Sequence, residues 1–388
     1  MPIALYALAL AAFSIGTAEF VISGILPALS ADLAVSIPTA GLLVSGYAAG
    51  VAIGGPLMAM LVARFERRTV LVSLVMLFAF GQVLCALAGD YWLLMAARLV
   101  SAAAHGVFFG VGNVAAASLV PPERRASAIA TVVGGITIAN VLGLPGGTLI
   151  GNALGWRATF WTIAIFAALA AVVIALLLPR GERHADGGPT LGDQFRQLRH
   201  QQVWAGYLVI VLSMIGALAV GVYQVPMLIG IAGVNPDHVA FYLLLGGVGS
   251  MVGIYTGGRL GDRRPMATLV GMLLVQVLAN AVLLLTVHDP VLVGLTLFVV
   301  NAVGFGFGTP NAARILHAAR AAPNMASTLV STAYNIGIAT GAFLGAKLLE
   351  GGLSYAVLPL VPIASSSLAV GVALWSWRLE RRSAPAVP

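Results

Sequence analysis

Charged residues are scarce in this chain of 388 residues. Asp, Glu, Lys and Arg make up only 9% of the sequence, and hydrophobic residues make up 60%, with a mean hydropathy of +1.00. A soluble globular protein carries roughly 25% charged residues. The scarcity of charge therefore excludes a soluble domain and indicates a protein that crosses a membrane several times.

Cysteine and catalytic motifs are also missing. The single cysteine, Cys85, lies in an apolar stretch, which excludes a disulfide framework and a cysteine-based metal site. The sequence has no Gly-x-Ser-x-Gly elbow, no His-Glu-x-x-His pair and no phosphate-binding P-loop. We therefore expect no enzyme, no metal and no cofactor. The first apolar run lacks the charged start of a removable signal peptide and is too long for one, so we expect it to remain as a membrane span.

Twelve apolar stretches are long enough to cross a bilayer as helices, which takes about 20 residues each. We predict spans 1 to 12 at 4–26, 40–62, 70–88, 91–119, 127–150, 157–178, 203–231, 239–258, 266–287, 291–315, 325–349 and 354–377. The sequence thus predicts an all-α membrane protein in three parts. These are an N-terminal six-helix bundle at 1–178, a cytoplasmic linker at 179–202 and a C-terminal six-helix bundle at 203–388.

The basic residues are distributed unevenly along the chain. Of the 20 Lys and Arg residues, all but Arg98, Arg157 and Lys347 fall in even-numbered loops or at the C-terminus, whereas odd-numbered loops carry acids such as Asp32 and Asp90. By the positive-inside rule, the even-numbered loops and both termini are cytoplasmic. This pattern accounts for the net charge of +7, so no basic surface is left to predict nucleic-acid binding.

Glycine triplets with a spacing of four recur at every third span. They stand at positions 46/50/54, 143/147/151, 249/253/257 and 337/341/345, in spans 2, 5, 8 and 11. Glycines four apart line one face of a helix and let a second backbone come close. The recurrence predicts two equivalent halves in parallel orientation, with the triplets forming a sliding contact between them. Chance alignment of glycine-rich helices is the alternative.

Three local motifs carry a family resemblance. They are the stretch 16–27 with Gly-Thr-Ala-Glu-Phe and Leu-Pro, Arg98 with His105-Gly106, and the stretch 140–147 followed by Gly155-Trp156-Arg157. With the twelve spans, they resemble the major facilitator superfamily over essentially the whole chain. Within it, they are similar to the 12-span drug:H+ antiporters of the chloramphenicol-efflux and arabinose- or sugar-efflux branch. The resemblance implies an antiporter-motif helix in span 5, with Gly143, Pro145, Gly146, Gly147 and Gly151.

The loop between spans 2 and 3 departs from the superfamily pattern Gly-xxx-Asp-Arg-x-Gly-Arg-Arg. Ala63 stands at the usual Asp and Glu66 at the second Gly, whereas the second half keeps Gly-Arg-Leu-Gly-Asp-Arg at 258–263. The resemblance implies that these loops latch the cytoplasmic side in one conformation. Either Glu66 supplies the missing carboxylate or the first latch is weak. The implied latch residues are Arg64, Glu66, Arg67, Arg68, Asp262 and Arg263.

Charged groups inside the hydrocarbon are costly and usually functional, and here they are Glu19, Arg98 and His105. Glu19 and Arg98 each lie about 10 Å from the outer end of their predicted spans at 1.5 Å per residue. The two can meet if spans 1 and 4 are neighbours, as the resemblance implies. We predict that all three residues serve proton coupling. The alternatives are a permanent ion pair for Glu19 and Arg98, and an interhelical hydrogen bond for His105.

Neutral polar residues predict the cargo contacts. We expect no acid or fixed charge in spans 7 and 10, so proton coupling should belong to the first half and uncharged contacts to the second. Other polar residues in the spans are also candidates, although such residues often only hold helices together. The predicted cargo contacts are Tyr47, Asn113, Asn140, Tyr223, Gln224, Asn301, Phe305, Asn311, Tyr334 and Asn335.

Together these features predict a proton-coupled exporter of a small, mostly uncharged or amphiphilic compound, such as a chloramphenicol-like drug. We expect it in the bacterial inner membrane, working by alternating access as a single chain that is driven by the proton gradient without a cofactor. A sugar or glycoside exporter is the first alternative, and a proton-coupled uptake symporter is the second. A channel would need a continuous polar lining, which these spans lack.

Overall fold

The structure is a computed structural model that describes residues 2–62, 64–179, 201–319 and 323–383. Regular structure in these residues is helical throughout, and twelve helices are long and apolar enough to cross a membrane. The predicted all-α architecture with twelve spans is confirmed. The chain divides into two compact units, Met1–Gly187 and Gly188–Pro388, called the first and second unit below. Residues 180–200, which make up most of the predicted linker, lie outside the described residues. The predicted domain boundaries stay a prediction.

Most spans of the first unit are single α-helices. Span 5 instead combines a 3-10 turn, an α-helix, a π-helical turn at Ala139–Gly143 and a second α-helix. Span 1 runs past Pro27 to Asp32 and is longer than predicted, because surrounding groups in a membrane protein can satisfy the backbone carbonyl that an internal proline leaves without a donor. The bounds are Ile3–Asp32, Ile37–Val62, Arg67–Leu87, Tyr91–Ser118, Pro122–Leu154 and Trp156–Leu177.

Two spans of the second unit are interrupted. Span 7 consists of helices Gln201–Gly221 and Gln224–Gly230, and span 10 of helices Pro290–Gly306 and Gly308–Ala318. Spans 8 and 12 each begin with a 3-10 turn, Pro236–His238 and Tyr355–Val357. The remaining α-helices of this unit are Val239–Gly261, Pro265–Thr286, Pro323–Glu350 and Leu360–Ser383.

Helix starts repeat between the units. Asp90 precedes span 4, and its Oδ1 accepts hydrogen bonds from the backbone N–H groups two and three residues later, at 2.8 and 2.9 Å. Asp289 precedes span 10 and does the same at 2.8 Å for both bonds. An aspartate at this position satisfies helix donors that otherwise lack a partner. The two halves therefore begin corresponding helices by the same device.

Helix packing also repeats. In the first unit, span 2 packs against span 4, span 3 against spans 4 and 6, and span 1 against spans 5 and 6. In the second unit, span 8 packs against span 10, span 9 against spans 10 and 12, and span 7 against spans 11 and 12. Adding six to each number in the first set gives the second, which is the pattern expected of a duplicated six-helix bundle.

The glycine triplets face neighbours in their own unit, so the prediction that they line a contact between the halves is wrong. A Cβ atom added to Gly50 in span 2 would lie 2.9 Å from Ala102 in span 4. One added to Gly147 in span 5 would lie 2.5 Å from Val21 in span 1. A spacing of four defines one face of a helix, but it does not define which neighbour that face meets.

The second unit repeats this arrangement with closer backbones. A Cβ atom on Gly253 in span 8 would overlap the carbonyl oxygen of Ala302 in span 10, and one on Gly341 in span 11 would overlap that of Ile215 in span 7. The triplets therefore hold spans 2 and 4, 5 and 1, 8 and 10, and 11 and 7 at short distance. Small residues serve this purpose in membrane helices.

Candidate functional site

Arg98 lies at the centre of a buried polar cluster in the first unit. Its side chain is 1% exposed and reaches from span 4 to backbone carbonyls of two other helices. Nε donates to Leu43 at 3.1 Å, and Nη1 donates to Ala18 at 3.2 Å. Nη2 is buried and has no hydrogen-bond partner among the described residues. Arg98 thus joins spans 1, 2 and 4 while one of its amino groups stays free.

Glu19 follows Ala18 in span 1 and is partly buried. It interacts electrostatically with Arg98, yet neither residue is among the described ion pairs, which require a distance of 4.0 Å or less. Of the two interpretations left open by the sequence, the structure brings Glu19 and Arg98 together as neighbours. It does not join them in a direct ion pair.

Tyr47 connects Arg98 to His105. The guanidinium carbon of Arg98 is 4.4 Å from the centre of the Tyr47 ring, and the Tyr47 hydroxyl is 3.1 Å from His105 Nδ1. Tyr47 is 1% and His105 5% exposed. Spans 2 and 4 come close enough for this contact because Gly55 and Gly106 meet backbone to backbone.

Span 3 contributes a residue that the sequence interpretation missed. Cys85 is buried close to Arg98 and Tyr47. One turn earlier, Gln82 donates from Nε2 to Ser101 Oγ of span 4 at 2.9 Å. A polar residue inside an apolar span is itself a signal of interhelical contact, and Gln82 offered that signal. The Arg98 cluster below means Glu19, Tyr47, Cys85, Arg98 and His105.

The predicted cargo contacts of the first unit are spread over three spans. Tyr47 belongs to the Arg98 cluster and is fully packed. Asn113 lies two turns beyond His105 on span 4, and its buried Oδ1 has no hydrogen-bond partner in the described chain. Asn140 is 7% exposed and lies in the π-helical turn of span 5. Such turns are frequent at functional sites.

Several predicted cargo contacts of the second unit serve helix packing. Tyr223 is fully buried at the interruption of span 7, where its hydroxyl donates to the Ala342 carbonyl at 3.2 Å. Asn311 is fully buried in span 10, and its Nδ2 donates to the Gly206 carbonyl at 3.0 Å. Asn301 and Asn335 each donate to the carbonyl four residues earlier. Gln224 is 8% exposed, Phe305 is 36% exposed and Tyr334 is partly buried.

A charged pair in the second unit corrects the expectation that span 10 holds no fixed charge. Arg314 lies within the helix Gly308–Ala318 rather than in a loop. Its Nη2 is 2.5 Å from Glu380 Oε1 of span 12 and 3.0 Å from Ser376 Oγ. The Arg314 side chain is 9% exposed and that of Glu380 34%. The pair lies near the cytoplasmic ends that the charge pattern predicts, so it ties two helix ends together.

The predicted latch residues lie at the ends of spans 2, 3 and 8. Glu66 Oε2 accepts from the Thr69 hydroxyl at 3.1 Å, and Arg68 donates to the carbonyl of Ala175 at the end of span 6. Within the described residues, Arg64, Arg67, Asp262 and Arg263 take part in no ion pair. The latch itself stays a prediction.

The antiporter-motif helix packs on span 1. Gly143, Gly147 and Gly151 face Thr17, Val21 and Ile25 in turn, and Pro145 is buried. Gly146 points away from this contact and meets no atom within 4 Å. It lines a small apolar cavity of about 100 Å³ between spans 1, 5 and 6. The motif is therefore a packing surface within the first unit.

Asp32 anchors the extended C-terminal end of span 1. Its Oδ2 accepts from Arg157 Nη1 at 2.6 Å and from Trp156 Nε1 at 3.0 Å, both at the start of span 6. Arg157 Nη2 also donates to the Ala88 carbonyl at 3.0 Å. No group of His, Cys, Asp and Glu that could hold a metal occurs in the described parts of the chain.

Comparison with known proteins agrees with this architecture. The profile of the Major Facilitator Superfamily matches residues 8–346. The inner membrane transport protein YdhP of Escherichia coli (strain K12) is 36% identical over 376 residues, which cover 97% of this chain and 96% of that protein. A chloramphenicol resistance protein of Streptomyces lividans is 34% identical over 376 residues, covering 96% and 95%.

A solved structure supports the fold. The crystal structure of a bacterial homolog to the human lysosomal transporter Spinster, in an inward-facing and unoccupied conformation, matches with a TM-score of 0.77. The match covers 99% of this chain and 98% of that one at 20% sequence identity. At this identity, the likeness concerns the fold alone.

Proposed function

The chain belongs to the major facilitator superfamily, and on this premise we propose that it exports a small, mostly uncharged or amphiphilic compound in exchange for protons. The family membership makes it a multi-pass membrane transporter of small molecules rather than an enzyme. Export and proton coupling are the proposed additions. The chain would work in the bacterial inner membrane with both termini in the cytoplasm, as a monomer, by alternating access.

The observation that supports proton coupling is the position of Glu19 inside the membrane without a direct ion-pair partner among the described residues. It is an acid inside a membrane span, near Arg98 but not bound to it in an ion pair. An intramembrane carboxyl group is expensive and is retained where it does work. Because its surroundings would become wet from alternate sides during transport, Glu19 can take up a proton from outside and release it inside. The proton gradient then drives export without a cofactor.

Two observations support the kind of cargo. The relative from Streptomyces lividans is named for resistance to chloramphenicol, a small uncharged drug. Among the predicted contacts of the second unit, Gln224, Phe305 and Tyr334 are not fully buried, and they supply an amide and aromatic rings without charge. A sugar or glycoside would suit the same groups and is the second candidate cargo.

Replacing Glu19 with glutamine tests the coupling. An amide has the size of the carboxyl group but releases no proton, so we predict that Glu19→Gln binds [14C]chloramphenicol yet loses accumulation driven by a pH gradient in proteoliposomes. Glu123→Gln is the matched control, because Glu123 is exposed in the 3-10 turn that begins span 5. Unchanged gradient-driven accumulation by Glu19→Gln would show that Glu19 is not the coupling residue.

A growth screen identifies the cargo and its direction of movement. An efflux-deficient bacterium that expresses the chain is grown with antibiotics, including chloramphenicol, and with non-metabolised sugars. Protection from a drug supports drug export, whereas protection only from a toxic sugar analogue supports the second candidate. Accumulation in right-side-out vesicles under an inward proton gradient would instead identify an uptake symporter.

A further inference from the structure

Tyr47 lies between two polar residues that the sequence associates with protons. One face of its ring supports the Arg98 guanidinium at 4.4 Å, and its hydroxyl is 3.1 Å from His105 Nδ1. The side chain is 1% exposed and begins on span 2, whereas Arg98 and His105 both belong to span 4. Tyr47 therefore links two helices through one packed contact on each side.

Both contacts have a clear physical basis. A guanidinium over a tyrosine ring is attracted by the ring quadrupole, and the attraction grows when water is excluded. The hydroxyl can donate to Nδ1 when His105 is neutral and can accept from it when His105 is protonated. The link to His105 therefore survives a change in protonation, while the orientation of the hydroxyl reverses.

We propose that Tyr47 is a positioning residue of the proton-coupling site and not a cargo contact. By supporting the guanidinium, Tyr47 keeps Arg98 on the carbonyls of Ala18 and Leu43, which leaves Nη2 without a hydrogen-bond partner among the described residues. Through its hydrogen bond to His105, Tyr47 also couples the position of Arg98 to the protonation of His105, which lies two turns further along span 4. This inference rests on the proposed function and assigns Tyr47 a different role within it.

Every helix packed around this contact supplies a group that bears on the test. Span 1 supplies Glu19, span 3 supplies Cys85, and span 4 supplies Arg98 and His105. Of these, Glu19 and His105 are the predicted proton-coupling groups. A pH profile of Tyr47 variants therefore has to be compared with the same profile in Glu19 and His105 variants.

Two substitutions separate the two contacts of Tyr47. Tyr47→Phe keeps the ring beneath Arg98 and removes the hydroxyl, so we expect a shift of about one unit in the pH at half-maximal accumulation of [14C]chloramphenicol. Tyr47→Leu removes both contacts, and we expect at least about a tenfold loss of gradient-driven accumulation. In both variants, the Kd for chloramphenicol should change less than about twofold. If Tyr47 bonded the cargo directly, loss of that hydrogen bond would cost about 1 kcal/mol and change the Kd by more than this.

A second measurement does not need the cargo. In 15N nuclear magnetic resonance of histidine-labelled full-length chain in lipid, the signal missing from His105→Asn belongs to His105. In the wild type, this signal should show Nδ1 as hydrogen-bonded, and Tyr47→Phe should remove that feature. Tyr242→Phe is the matched control, because it also deletes one hydroxyl bond, to the Pro290 carbonyl at 2.9 Å, and should change neither signal nor pH profile.

The outcomes distinguish the roles of Tyr47. A weaker Kd with an unchanged pH profile would make Tyr47 a cargo contact, and an unchanged His105 signal in Tyr47→Phe would remove the proposed link; either result overturns the inference. Retained coupling in Glu19→Gln would instead overturn the proposed function, while the His105 signal would still test the contact. Loss of coupling in Glu19→Gln with normal transport by both Tyr47 variants would overturn only the present inference.

Discussion

The two units share a packing plan and differ in chemistry. In both, glycine triplets join corresponding helices, span 2 with 4 and 8 with 10, span 5 with 1 and 11 with 7. The Arg98 cluster lies on spans 1 to 4 of the first unit, whereas the described charged pair Arg314–Glu380 of the second unit joins spans 10 and 12. A duplicated bundle can therefore keep its small-residue contacts while its two copies place charged groups differently, because different residues determine packing and chemistry.

The two units also differ in the continuity of corresponding helices. Spans 1 and 4, which carry Glu19 and Arg98, are continuous. Their counterparts, spans 7 and 10, are interrupted after Gly221 and Gly306. Interrupted helices in a transporter expose backbone groups that can serve binding, whereas a continuous helix keeps a charged group in a fixed place. This difference supports the division of coupling to the first unit and cargo contacts to the second.

Substitutions of Arg98 and Arg314 should show the largest difference between the two units. Arg98→Met removes the cation beside Glu19 together with its bonds to two helices, and we expect gradient-driven accumulation to fall to the level of empty liposomes. Arg314→Met leaves the Glu380 carboxylate, which is one-third exposed and open to water. We expect a loss of about 1–2 kcal/mol in the free energy of unfolding and near-normal accumulation per folded molecule.

Both arginine variants are measured as accumulation per folded protein after size-exclusion chromatography, and as thermal unfolding in detergent. Glu380→Gln serves as the companion of Arg314→Met, since it removes the same ion pair from the other side. If Arg314→Met abolished coupling while Arg98→Met retained it, the chemistry would belong to the second unit, opposite to the proposal.

Substitutions at the glycine contacts should have the next largest effect, on the free energy of unfolding. They test corresponding helix pairs of the two units. A Cβ atom on Gly253 would overlap the carbonyl oxygen of Ala302, and backbone cannot yield without moving a helix. We expect Gly253→Ala to lower the free energy of unfolding by about 1–3 kcal/mol, as overpacking does. In the corresponding pair, a Cβ on Gly54 would lie 3.4 Å from Ala103 Cα, so Gly54→Ala should change it by less than about 0.5 kcal/mol.

Thermal unfolding followed by circular dichroism measures both glycine variants under identical detergent conditions. Gly146→Ala is a further control, because Gly146 has open space where its Cβ would lie. Equal destabilisation by Gly253→Ala and Gly54→Ala would mean that the two pairs pack with the same tightness, contrary to the geometry.

Hydropathy and spacing predicted the fold well because membrane helices are subject to one strong constraint. A helix in lipid must be about 20 residues long and apolar, so composition alone located all twelve spans. The depth of Glu19 and Arg98 in their spans, together with the resemblance that makes spans 1 and 4 neighbours, predicted that the two residues can meet. The glycine period identified the correct helix faces, although their partners were assigned to the wrong unit.

The remaining site features depend on which helices are neighbours, which local patterns do not encode. Arg314 and Glu380 are 66 residues apart, and each lies within three residues of the end of its predicted span, so both resemble ordinary loop charges. Tyr47 resembles any polar residue facing a cavity until its contacts with Arg98 and His105 are known. Cys85 gives no sequence signal at all, because a lone cysteine in an apolar helix behaves as a small hydrophobic residue.

Two ion pairs near helix ends provide the smallest effect. Asp32 joins span 1 to span 6 through Arg157 and Trp156, whereas in the second unit the pair Lys347–Glu350 lies within one helix. The Asp32 and Arg157 side chains are 46% and 41% exposed, so Asp32→Asn should lower the free energy of unfolding by no more than about 1 kcal/mol. Glu350→Gln should lower it by about 0.2–0.5 kcal/mol.

Added salt screens exposed charges, and raising the salt concentration during thermal unfolding should shrink both differences. The Asp32→Asn difference should shrink less, because an asparagine loses the charge-assisted bonds to Trp156 and Arg157 at any ionic strength. Equal and fully salt-sensitive effects would mean that the contact between spans 1 and 6 adds nothing beyond simple charge attraction.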